Sequence, residues 1–90
     1  MDNLIPLPTI GEFLLQDFMI PMHLEPQDLS EATKIPLSDI FAILNNVIDI
    51  TPEISNKLAS FFGVSPLLFY NIQQDLKQRA HIHLQELQYA

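Results

Sequence analysis

Most of the side chains that could make specific contacts lie in one stretch, residues 26–46, with the sequence PQDLSEATKIPLSDIFAILNN. Its apolar residues are spaced as in two short helices around a tight turn: Leu29, Ile35, Ile40, Ile43 and Leu44. Ser30, four residues before Lys34 at the turn, is small enough for the helices to cross closely. The stretch therefore predicts a helix-turn-helix, whose second helix, Pro36 to Asn45, would enter the major groove of DNA. The spacing alone equally allows an ordinary pair of amphipathic helices.

The outward face of that second helix would supply the contacts to bases. Base edges are usually read by Arg, Lys, Asn or Gln near the start of such a helix. Here Ser38 can hydrogen-bond a base or a phosphate, Asp39 can only accept a hydrogen bond, and Phe41 suits a thymine methyl group or the core. Both sequence-specific DNA binding and a face that no longer binds DNA strongly alone stay open. The predicted DNA-binding residues are Gln27, Lys34, Leu37, Ser38, Asp39, Phe41, Ala42, Asn45 and Asn46.

Other reactive side chains lack the partners that catalysis or metal binding requires. Three hydroxyl residues that could act as nucleophiles have no base at a catalytic spacing: Thr9, Ser55 and Ser60. His81 and His83 are two residues apart and point in different directions on a helix. The chain has no cysteine and only two glycines, so it has no thiolate site and no glycine-rich phosphate loop. We therefore expect no enzyme activity, no metal and no cofactor.

The composition fits one small, acidic domain. The chain has 90 residues, of which 48% are hydrophobic, and a net charge of −7. Residues 1–46 hold seven carboxylates and one cation, Lys34, for a net −6, whereas residues 47–90 hold four carboxylates and three cations, for a net −1. The half that contains the helix-turn-helix would repel a polyanion and attract a basic protein. No apolar run approaches the roughly 18 residues that cross a membrane, and we expect a cytoplasmic protein.

The remaining sequence predicts an all-α, five-helix domain over residues 8–90, preceded by an extended arm at residues 1–7. Thr9 with Glu12 forms a capping box at the start of helix one, which Pro21 ends or kinks near Met19. Its buried stripe would be Phe13, Leu14 and Phe18. Glu25-Pro26 opens helix two, which is expected to turn Leu29 and Ala32 inward.

Helices four and five also have clear boundaries. Thr51-Pro52 starts helix four and Gly63 ends it, and the buried face would be Ile54, Leu58, Ala59 and Phe62. Ser65-Pro66 would open helix five, which has no Gly or Pro from Leu67 to Gln88 and is predicted over residues 65–88. A helix of that length exceeds what so small a domain can cover, so its distal half is expected to pair with a second copy. The predicted dimer contacts are Ile72, Leu76, Ala80, Leu84 and Leu87.

Several short motifs together resemble the HigA antitoxins of the Cro/C1 helix-turn-helix class. The matching residues are Gly11-Glu12, Leu14-Leu15, Ile20-Pro21, Ile35-Pro36, Ile50-Thr51 and the run from Phe62 to Pro66, within residues 8–74. The resemblance implies a lambda-repressor-like domain that forms homodimers, binds operator DNA, represses its own operon and neutralises a basic, mRNA-cleaving toxin.

The departures from that pattern concern turns and charge. His23, Lys34 and Asn46 stand where the family usually has glycine, which predicts a positive φ at each. Asp39 and Val47-Ile48 stand where the family usually has cations, which predicts weak DNA binding by the isolated protein. The alternative functions are a protein-interaction module of the same fold and, more remotely, an acidic mimic of DNA. Asp28, Glu31 and Asp39 are either a solvated face or a docking site for a basic partner.

Overall fold

All regular secondary structure is helical in the residues that the computed structural model describes, 8–89, with the side chains of residues 80–89 excepted. The five-helix, all-α fold is confirmed, and the predicted arm at residues 1–7 lies outside the described part. In none of the described helices do length and apolar character suffice for a membrane span. The elements are α1 (Ile10–Leu14), a π-helical turn that continues it (Leu15–Met19), α2 (Pro26–Thr33), α3 (Leu37–Leu44), α4 (Pro52–Phe62) and α5 (Leu68–Tyr89).

Local capping explains where three of the helices begin. The Thr9 hydroxyl accepts from the Glu12 amide at 3.2 Å, and the Glu12 carboxylate accepts from the Thr9 amide at 3.0 Å, as the capping box requires. The Thr51 hydroxyl accepts from the amide of Ile54 at 3.2 Å. At α2, the Asp28 carboxylate accepts from the Glu25 amide at 3.0 Å. Each contact satisfies a main-chain donor that the first helical turn leaves without a partner.

The last turn of the first helix is wider than the sequence predicts. Helix one ends at Met19, as Pro21 indicates, but from Leu15 it is π-helical, with the Ile20 amide donating to the Leu15 carbonyl at 2.9 Å. A hydrogen bond that spans five residues places side chains five apart above one another. Phe13 and Phe18 accordingly pack edge to face, with ring centroids 5.6 Å apart.

An aromatic cluster joins this helix to α4 and α5. The ring of Phe18 lies 4.9 Å from Phe62 and 4.9 Å from Phe69, centroid to centroid. Phe69 is fully buried, whereas Phe13, Phe18 and Phe62 are half-buried against it. Buried residues from the other helices and from two connections complete the core: Ile10, Leu14, Met19, Leu29, Ile35, Ile40, Ile43, Ile50, Leu58 and Ala59.

One inward position in α2 was predicted wrongly. Ala32 is exposed, and Thr33 is buried in its place. The Thr33 hydroxyl donates to the Leu29 carbonyl at 2.7 Å, which allows a polar residue to occupy the inner face. Because α2 has only two turns, few residues define its inner face. An error of one residue in placing that face exchanges an inner position for an outer one.

Helix α5 begins three residues later than predicted and extends past the body of the domain. Ser65 to Leu67 form a turn, and the buried Ser55 hydroxyl ties this turn to α4 by donating to the Pro66 carbonyl at 2.8 Å and accepting from the Tyr70 amide at 3.1 Å. The 22 residues of α5 span about 33 Å at 1.5 Å per residue, against molecular dimensions of 47 × 23 × 22 Å. Helix α5 therefore gives the molecule its long axis.

Candidate nucleic-acid interface

The turn between α2 and α3 is held by hydrogen bonds among four residues. Lys34 has a left-handed conformation, φ 65°, and its amide donates to the Ser30 carbonyl at 2.8 Å. The Ser30 hydroxyl donates to the Ile35 carbonyl at 2.6 Å, and the Ile35 amide donates to the Thr33 hydroxyl at 3.3 Å. These bonds fix the angle at which the chain enters α3. Sequence reasoning assigned Ser30 a packing role and missed both hydroxyl contacts.

All three predicted non-glycine turns adopt positive φ. His23 has φ 55°, Lys34 has φ 65° and Asn46 has φ 62°, while Gly63 has φ 74° after α4. A left-handed conformation brings Cβ close to the following carbonyl oxygen, so each position carries backbone strain that a glycine would not have. Two of these residues flank α3: Lys34 lies three residues before it and Asn46 two residues after it.

Helix α3 is seated on α1 through main-chain contact. A Cβ on Gly11 would lie 2.5 Å from the Ile43 carbonyl oxygen and 2.9 Å from that of Leu44. Only glycine fits so close an approach. Ile40 and Ile43 are fully buried on the inner face of α3. This seating fixes which face of α3 points outward.

Eight of the nine predicted contact residues lie in α3 or within three residues of its ends, whereas Gln27 lies in the first turn of α2. Phe41 is 47% exposed and Leu37 is 37% exposed, so Phe41 is not a core residue. Of the nine predicted residues, Asp39 and Ala42 are half-buried and the other seven are exposed: Gln27, Lys34, Leu37, Ser38, Phe41, Asn45 and Asn46. Whether any of them touches DNA stays a prediction.

Two of the amide side chains in this set already have partners within the chain. The Asn45 amide nitrogen donates to the Phe41 carbonyl at 2.9 Å, on its own helix. The Gln27 amide nitrogen donates to the Glu31 carboxylate at 3.3 Å. The first turn of α3 adds two polar side chains, the exposed Ser38 and the half-buried Asp39.

The loop after α3 is held to α5 by a buried glutamine. Gln73 is 2% exposed and bonds both main-chain groups of Ile50, accepting from its amide at 2.6 Å and donating to its carbonyl at 2.8 Å. Lys77, one turn further along α5, pairs with Asp49 in the same loop. Sequence reasoning missed Gln73, because its partner lies 23 residues away and no local pattern marks it.

Charge on the α2–α3 unit is unfavourable to a polyanion. The unit contains three carboxylates, Asp28, Glu31 and Asp39, and one cation, Lys34. Within residues 8–79, the other three cations form exposed ion pairs: Lys57 with Glu53, Lys77 with Asp49 and Arg79 with Asp75. The loop after α3 adds Val47, which is 73% exposed and apolar.

Sequence comparison finds one curated relative of the helix-turn-helix type. No family model matches the chain. An uncharacterised helix-turn-helix transcriptional regulator from Haemophilus influenzae is 32% identical over 65 residues, 72% of this chain. The chain spans 61% of the length of that relative.

Solved structures share the fold over nearly the whole chain. The Pseudomonas aeruginosa antitoxin HigA, solved with the higBA promoter, is 19% identical with a TM-score of 0.78, covering 92% of this chain and 90% of its own. An addiction-module antidote protein of the HigA family from Coxiella burnetii is 26% identical with a TM-score of 0.64, covering 91% of this chain and 96% of its own.

Proposed function

We propose that this chain, a HigA-like helix-turn-helix protein of the Cro/C1 type, is a DNA-binding transcriptional regulator and the antitoxin of a toxin–antitoxin operon. The observation that carries the proposal is the α2–α3 unit, in which a bonded left-handed turn at Lys34 presents the outer face of α3 to solvent. Such a face is what a recognition helix needs to enter the major groove. The H. influenzae regulator and the promoter-bound HigA support a DNA partner for this chain.

DNA binding by the isolated protein is expected to be weak. Affinity for DNA depends largely on cations that displace counterions from phosphates. The α2–α3 unit offers only Lys34 against Asp28, Glu31 and Asp39. Two or fewer phosphate contacts per subunit should result, and with them a shallow dependence of affinity on salt.

The partner that would raise this affinity is a basic, mRNA-cleaving toxin. A cationic protein bound to the acidic chain would reverse the net field of the complex and add its own phosphate contacts. The two HigA-type antitoxin structures support this part of the proposal. Asp28, Glu31 and Asp39 are the carboxylates through which such a partner would be attracted.

A homodimer would place two such units on one DNA molecule. Ile72 is half-buried against the core of its own subunit and Leu76 is half-buried beside a groove, while the side chains of Ala80, Leu84 and Leu87 lie outside the described residues. Pairing of the distal part of α5 is proposed from the length of this helix and the apolar stripe along it.

A protein-interaction module without DNA contact is the second candidate. It is favoured by a specific observation, the exposed apolar side chains of Leu37 and Phe41 in a unit of net negative charge, with Val47 just after it. An exposed apolar surface on an acidic unit suits a basic protein as well as it suits a nucleic acid groove.

Fluorescence anisotropy on the DNA upstream of the gene, across a salt series, separates these candidates. The proposal expects weak binding by the protein alone, a logarithmic salt slope of about −2 or shallower per subunit, and a gain in affinity when the toxin is added. Absence of binding with the toxin present, at low salt, would favour the interaction module. Tight binding by the protein alone with a steep slope would contradict the role assigned to the acidic face.

A further inference from the structure

The outer face of α3 lacks the side chains that usually identify guanine or adenine. The helix sequence LSDIFAIL contains no Arg, Lys, Asn or Gln, and guanine is read mainly by Arg or Lys. Asn45, which follows the helix, has its amide nitrogen bonded to the Phe41 carbonyl at 2.9 Å. Hydrogen-bonded readout by α3 is thereby reduced to Ser38 and the half-buried, acceptor-only Asp39.

Two large apolar side chains occupy the place where base contacts are made. Leu37 is the first residue of α3 and Phe41 is four residues later, so both lie on one face of the helix. They are 37% and 47% exposed respectively, although Ile40 and Ile43 of the same helix are fully buried. At the start of a groove-entering helix, two exposed apolar side chains are free to pack on an apolar group of the partner.

The major groove offers one apolar feature, the C5-methyl group of thymine. We propose that Leu37 and Phe41 determine the sequence specificity of this protein by packing on thymine methyl groups, so that its binding site is selected by methyl contacts more than by hydrogen bonds. The inference rests on the proposed DNA binding and names the bases that the same face would select.

Helix geometry also predicts how far apart the two contacted thymines should be. Residues four apart on a helix are separated by about 6 Å along its axis, and successive base pairs are about 3.4 Å apart. With α3 lying along the groove, the two side chains would therefore reach thymines about two base pairs apart, on either strand. Ser38, beside Leu37, would supply a hydrogen bond to a base or a phosphate between them.

The test begins by selecting the preferred site from a pool of random duplex DNA at low salt. The selected duplex is then synthesised twice, once with thymidine and once with deoxyuridine, which pairs identically but lacks the methyl group. Binding to the deoxyuridine duplex should be weaker by about fourfold for each methyl group in contact. The selected sites should also contain paired thymines at the expected spacing.

Matched variants assign the methyl contact to particular residues. Phe41→Ala should weaken binding to the thymidine duplex and bring the affinity ratio of the two duplexes towards one. Phe61→Ala is the control, because Phe61 is a 36% exposed phenylalanine on a different helix, α4. That variant should keep both the affinity and the ratio.

The outcomes separate this inference from the function on which it rests. Equal affinity for both duplexes would overturn methyl readout and leave DNA binding intact. A difference between the duplexes that persists in the Leu37→Ala, Phe41→Ala double variant would also overturn it, because the difference would then come from the stiffness of the DNA. Failure to select any duplex would contradict DNA binding itself, and the inference would fall with it.

Discussion

The Gln73 side chain on α5 hydrogen-bonds both the amide and the carbonyl of Ile50, the buried residue that ends the loop after α3. Its side chain is an amide, so it provides one acceptor and one donor in the geometry of a backbone partner. A single side chain thereby links the end of the candidate recognition unit to the helix proposed for dimerisation.

Gln73→Leu should destabilise the fold by about 2–4 kcal/mol, because it leaves a buried N–H and a buried carbonyl without partners. The free energy of unfolding in urea measures the effect. Gln78→Leu is the matched control, since Gln78 is an exposed glutamine on the same helix. Equal costs for the two variants would show that the bonds to Ile50 contribute nothing.

Lys34→Gly should stabilise the fold by roughly 0.5–1 kcal/mol, because it removes a Cβ from a residue at positive φ. Lys34→Ala keeps the Cβ and removes the charge, so it should give no such gain. Thermal or urea unfolding of the wild type and the two variants separates the effect of the Cβ from the effect of the charge. A loss of stability in Lys34→Gly would contradict the left-handed turn.

Gly11→Ala should destabilise the fold by about 1–3 kcal/mol, because a Cβ would overlap the carbonyl oxygens at the end of α3. Alanine normally stabilises a helix relative to glycine by about 0.5–1 kcal/mol, so the sign of the change in unfolding free energy is decisive. A gain in stability would mean that α1 and α3 are further apart than the structure shows.

Asp39→Arg should strengthen binding of the isolated protein to the DNA upstream of its gene. The slope of log affinity against log salt concentration should become more negative by about one to two. The carboxylate lies in the first turn of α3, where it repels phosphate. Anisotropy titrations at several salt concentrations provide the measurement. If the variant binds more weakly, the carboxylate accepts a hydrogen bond from a base.

Leu84→Asp should shift the protein from dimer to monomer, because it would bury a charge in the proposed contact along α5. Sedimentation velocity at matched concentrations detects the change, and Gln85→Asp, one residue off the apolar stripe, should leave the dimer intact. A wild-type protein that is monomeric at high micromolar concentration would refute the proposed contact.

Short-range signals made much of this fold predictable from the sequence. Thr9 and Thr51 act as caps on residues three positions away. The turn at Lys34 was placed by its spacing from Ser30, and its positive φ by the resemblance to a family that usually has glycine there. Gln73 was not predictable in this way, since its role depends on a residue brought close only by the finished fold. The outer face of α3 was foreseen, but the sequence left Phe41 open between that face and the core, because one aromatic residue fits either side of a short helix.

The π-helical turn at Leu15–Met19 has a consequence for changes in chain length. Such a turn holds one residue more than a regular helix between the same two contact points. Gln16 lies in it and is exposed, so a chain with Gln16 deleted could close the turn as ordinary α-helix and keep Phe13 and Phe18 in register. The start of the domain can therefore absorb a single-residue deletion here, whereas the same deletion in α3 would rotate every later side chain of that helix by about 100°.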